Sequence, residues 1–216
     1  MKIALLAGIL SGFAAVIGVS GFYPWVDHPR LPSHTRVLPN GGRAERLVIR
    51  LPADQIVSAG TPEAGIRGRS FPDGVTIPEA LGNQPLLLEH FKVRDVEGNV
   101  IGLAARHSTA TAEGSASAWA ITIPSRGTLW LVGAETPGAL DGALASSGYV
   151  EGTPWNGDLR ITISSGEDGS GRVASGTREF EGLAGTYSET WLLTGVGDAG
   201  ELQGTVELST ITFRAP

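Results

Sequence analysis

At 216 residues, the chain has room for one domain of about 170 residues beyond an apolar N-terminal segment, enough to bury a full core without cross-links. A net charge of -6, with 16 Lys and Arg spread mostly singly, argues against a nucleic-acid partner, because phosphate binding needs clustered cations. The absence of cysteine excludes disulfides, thiolate catalysis and Cys-ligated metal, and suits an oxidising compartment.

The first element is an uncharged run. No charge lies between Lys2 and Asp27, and residues 3–23 as a helix would span about 31 Å, the thickness of a bilayer's hydrocarbon layer. Phe22, Tyr23 and Trp25 would then sit at the interface, and Pro24 ends the helix. On a helical wheel Ala4, Ala7, Gly8, Ser11, Gly12, Ala14, Ala15 and Gly18 share one arc, while Leu5, Leu6, Ile9, Leu10, Phe13, Val16 and Ile17 fill the other side. A smooth face of small residues on a lipid-length helix is where another membrane helix packs. The segment therefore reads as an uncleaved signal anchor (1–24), N-terminus inside, placing the rest outside the inner membrane. A cleaved secretory leader ending near Ser20-Gly21 is the alternative.

Residues 25–44 follow as a proline-rich extended tether without apolar periodicity. Its histidines, His28 and His34, have Asp27 as their one nearby carboxylate in sequence, so no metal site is expected, nor any cofactor. Beyond the tether, strand signals separated by turn residues recur at 46–51, 86–95, 100–109, 115–123, 128–133, 158–164, 186–194 and 204–213. Short pieces at 78–82 and 138–146 suit single helical turns. Eight or so strands in about 170 residues make the expected fold of 45–216 an all-β antiparallel barrel or sandwich.

One hairpin can be registered. Val96-Glu97-Gly98 suits a three-residue loop with Gly98 left-handed, so that Asp95 opposes Asn99. Counting outward, Val93 faces Ile101, Phe91 faces Leu103, Glu89 faces Ala105 and Leu87 faces His107, all pointing inward. His90, Lys92, Arg94 and Arg106 point out. Glu89 and His107 are then polar neighbours in an apolar interior: an acid/base pair, a pair that orients a buried ligand, or a partly solvated structural pair at the barrel mouth. The SGEDGSG segment around Asp168 reads as a solvated turn, and no phosphate loop or serine-nucleophile motif is present.

The stretch Gly171-Arg172-Val173-Ala174-Ser175-Gly176-Thr177-Arg178-Glu179-Phe180-Glu181-Gly182-Leu183-Ala184-Gly185-Thr186-Tyr187 resembles a signature of the allene oxide cyclase-like and dirigent-like barrels, G-x-I-x-x-G-T-G-x-F-x-G-A-x-G-T. Arg178 stands where that pattern often has Gly. The resemblance implies an eight-stranded barrel with a small apolar interior, Phe180 plugging it between two strands, glycines 182 and 185 at the corner, and a tendency to form homo-oligomers. No catalytic residue of those families maps onto this chain.

These readings converge on a non-enzymatic, membrane-anchored accessory or scaffold subunit on the periplasmic side. It docks into a larger integral membrane complex through Ala4, Ala7, Gly8, Ser11, Gly12, Ala15 and Gly18. A lipocalin-like carrier of a small apolar ligand oriented by Glu89 or His107 is the second reading, and a barrel cyclase or isomerase the third.

Overall fold

The computed structural model describes residues 34–61, 86–111, 114–136 and 138–214. The expected anchor with its small-residue face, and the 78–82 piece, lie outside the described residues. Among those described, no helix is long and apolar enough to cross a membrane.

In chain order the elements are β1 (Arg36–Val37), β2 (Arg43–Leu51), β3 (Gln55–Gly60), β4 (Leu86–Arg94), β5 (Val100–Thr111), β6 (Gly114–Ile123), β7 (Gly127–Glu135), α1 (Ala139–Ser146), β8 (Trp155–Ser164), β9 (Gly171–Gly176), β10 (Leu183–Val196) and β11 (Leu202–Arg214). Every pairing is antiparallel, running β2-β11-β10-β9-β7-β6-β5-β4, and β4 returns to β2 through Arg94 and Val48, closing an eight-stranded barrel. β8 shares the edge of β10 with β9, taking Glu189 to Val196 while β9 takes Gly185 and Thr186. β3 covers β4 from Leu87 to Phe91, and β1, at the end of the expected tether, pairs with the start of β2.

The seam is stitched by charge as well as by backbone. Asp54, in the turn after β2, takes the Arg94 guanidinium at 2.7 and 2.8 Å and the Arg50 amide at 2.9 Å. Burial alone would raise this carboxyl, but Arg94 and the Arg50 amide hold it below the usual carboxylate value.

Alternation builds the interior. In β10, Tyr187, Glu189, Trp191 and Leu193 point inward, and β11 answers with Val206, Leu208, Thr210 and Thr212. Phe91, Trp119, Ile121 and Leu131 complete the filling, each worth roughly 1.5–3 kcal/mol when fully buried. An eight-stranded barrel is just wide enough for side chains like these to occupy it.

The β4–β5 hairpin keeps its expected loop but not its expected register. The Asp95 amide donates to the Asn99 carbonyl at 3.0 Å, and Gly98 is left-handed at φ 91°. Arg94 then pairs with Val100, yet Val93 pairs with Gly102, so β5 carries one extra residue and both Ile101 and Gly102 are buried. Beyond this bulge the faces of β5 are exchanged: Arg106 turns inward and His107 outward, the reverse of the sequence expectation. Glycine permits it, because a Cβ at Gly102 would run into the Thr122 carbonyl of β6. Gly102→Ala is expected to lower the unfolding free energy by about 1–3 kcal/mol, read by urea denaturation.

In the glycine-rich segment, Phe180 is buried in a 3-10 turn between β9 and β10, the plugging position that the resemblance implies. Arg178 is the one non-glycine residue with positive φ, 54°, among those described, and it occupies the position where the pattern often has Gly. Arg178→Gly should therefore be neutral to stabilising by up to about 1 kcal/mol, against the usual cost of an introduced glycine. Thermal denaturation of the two proteins checks the sign.

Candidate functional site

The interior holds a polar cluster built on Arg106. β4 places Glu89 directly opposite Arg106 on one side, and β6 places Trp119 opposite it on the other. Glu135 enters from the end of β7, and Glu189 and Trp191 reach in from β10. The guanidinium is wholly buried and each of its three nitrogens faces a different carboxylate: Nε to Glu189 at 3.2 Å, Nη1 to Glu89 at 3.3 Å, and Nη2 to Glu135 in a short hydrogen bond.

The two indoles complete the enclosure. Trp119 Nε1 and Trp191 Nε1 donate to the two oxygens of Glu189 at 2.7 and 2.8 Å, while the Arg106 Cζ lies 5.6 and 5.9 Å from their ring centroids. Burial works against the Arg106 charge, but Glu189, Glu135 and Glu89 outweigh it and hold the group above its ordinary value. Ser108 donates to Glu135 at 3.4 Å.

Beside this hub three hydroxyls gather where Gly133 has no side chain, since a Cβ there would meet Ser164 Oγ and Tyr187 Oη. Ser117, directly across from Gly133, is the third. Burial, and after it Glu189, pushes the Tyr187 phenol up to about 12, so it stays protonated at neutral pH.

The arrangement differs from the expected pair. Glu89 is inside, as expected, but its partner is Arg106 rather than His107. His107 is exposed on the outer face, where burial and the charge of His90 lower its proton affinity. The bulge at Ile101 and Gly102 is the reason, and the two residues line no common space. Arg106, expected to be solvated outside, is the central residue of the interior. A cation flanked by alternating apolar positions was visible in the sequence; only the strand parity hid its face. Trp130, in contrast, lies on the outer face.

Two further clusters lie toward the opposite end of the barrel. Arg126, in the β6–β7 turn, forms a bidentate pair with Glu45, lies 3.3 Å from Glu179 and stacks over Phe180 at 4.8 Å. A cavity of about 10 Å³ beside it, lined by Glu45, Arg126, Phe180 and Thr210, has room for one water. At the β4–β5 turn, His34 meets Asp95 and Glu97, with the three donor atoms all within 4.8 Å of one another. In sequence His34 lies near Asp27 alone, because Asp95 is 61 residues away and meets it only through the β1–β2 and β2–β4 pairings.

No family model matches this chain, and no curated protein does either. The site must therefore be read from its own chemistry. A guanidinium whose charge already faces three carboxylates is a poor receptor for a further anion. The cluster is suited to locking the barrel. Arg106→Met strands three buried carboxylates without their cation, and should lower stability by about 3–5 kcal/mol. Arg106→Lys should recover only part of it, since one ammonium cannot span three partners. Chemical denaturation at neutral pH measures both.

Proposed function

We propose that the protein is a non-enzymatic accessory subunit, anchored in the inner membrane by its N-terminal helix, whose barrel is a rigid extracytoplasmic body in a larger membrane complex. The observation that carries this reading is the filled and locked interior. Trp119, Trp191, Phe91 and the Arg106 cluster occupy the space in which a carrier would hold its cargo. Of the two residues that a carrier would use to orient its ligand, His107 faces outward and Glu89 is paired with Arg106.

The outer surface of β5, β6 and β7 supports the same reading. Leu103, Ala105, Ala116, Ala118, Trp130 and Val132 face outward there, and among the described residues the outward positions of 103–109, 115–122 and 128–134 include no acidic or permanently cationic side chain. A wall so poor in charge suits contact with protein more than full solvation.

The small-residue helix face supplies the specific attachment in this proposal. Gly8→Leu together with Gly12→Leu, in the full chain purified from its native membrane in mild detergent, should reduce the stoichiometric recovery of the partner complex by tenfold or more while the barrel stays folded. Unchanged recovery overturns the docking reading. Native mass spectrometry on the same preparation should show no stoichiometric small molecule, and a bound one would restore the carrier.

A further inference from the structure

The cluster at the root of the tether has the spacing of a coordination shell rather than of a hydrogen-bond network. His34 Nε2 lies 3.6 Å from Asp95 Oδ2 and 3.7 Å from Glu97 Oε2, too far to donate to either. That nitrogen is nevertheless enclosed, and no hydrogen-bond partner satisfies it. Donors bound to one zinc ion at 2.0–2.2 Å in a tetrahedron stand about 3.3–3.6 Å apart, close to the separations seen.

The donors are also held unequally, as a working site requires. Asp95 is fixed by the hairpin: its Oδ1 accepts the Glu97 and Asn99 amides at 3.0 and 2.9 Å, and its Oδ2 accepts Asn99 Nδ2 at 2.9 Å. Oδ2 keeps a lone pair toward His34. Glu97 is largely exposed, able to close onto an ion or release it.

We propose that His34, Asp95 and Glu97 form a divalent transition-metal site, with zinc as the ion and water in the fourth position. One imidazole nitrogen and two carboxylate oxygens are ligands that zinc accepts, and a set lacking thiolate does not favour the softer ions. The ion joins the chain just before β1 to the turn that ends β4. It thereby pins the tether to the barrel seam, beside Arg94 and Asp54.

The test is calorimetric titration of Zn²⁺ into the metal-stripped full chain in detergent, with Co²⁺ absorption as a second readout of tetrahedral geometry. One ion per chain is expected, with affinity falling tenfold or more in both His34→Ala and Glu97→Gln. Glu97 lies on the surface, so its variant keeps the fold. Binding that survives in both variants, or is lost instead in His90→Ala or His107→Ala, overturns the proposal. So does the absence of any Zn²⁺ binding to the unmodified chain.

Discussion

Three carboxylates from three strands converge on one guanidinium in the middle of this barrel, and the remaining interior is arranged around that contact. An arginine taken out of water is tolerated only when its charge is met by opposite charge. Here β4, β7 and β10 supply one glutamate each, and Trp119 and Trp191 orient Glu189 through their indole nitrogens. Such a contact can form only when the barrel is closed in a single register, so it selects that register from the alternatives open to the apolar pattern. Its cost is the space that a ligand would have used.

The bulge in β5 makes the hub reachable. One extra residue at Ile101 and Gly102 exchanges the faces of β5 and delivers Arg106 instead of His107 to the interior. The change is energetically local, since it needs only the close approach of Gly102 to β6. Its consequence runs across the whole barrel. An imidazole in the place of Arg106 would present at most two donors to three carboxylates.

Two charge clusters close one end of the barrel and its seam. Toward one end Arg126 ties β2, the β6–β7 turn and the 3-10 turn together through Glu45, Glu179 and Phe180. At the seam Asp54 and Arg94 replace the backbone bonds that β2 and β4 lack beyond their single pairing. Residues 34–37 run along this seam, which is why His34, remote in sequence, comes to lie beside Asp95 and Glu97.

The sequence by itself determined the all-β class, the eight expected strands with their ends within a few residues, and the inward set of β4, because alternation and turn residues are local properties of the chain. It also determined the Asp95 to Asn99 loop. β1, β3 and β9 escaped notice because each is short and draws its stability from a neighbouring edge rather than from its own pattern. Which face of β5 points inward was decided only by tertiary structure. A bulge shifts side-chain parity by one, and whether it forms depends on the fit of Gly102 against Thr122 and on glutamates of β4, β7 and β10 meeting Arg106. The meeting of His34 with Asp95 and Glu97 was likewise decided by barrel closure, since no local pattern records which strands share a seam.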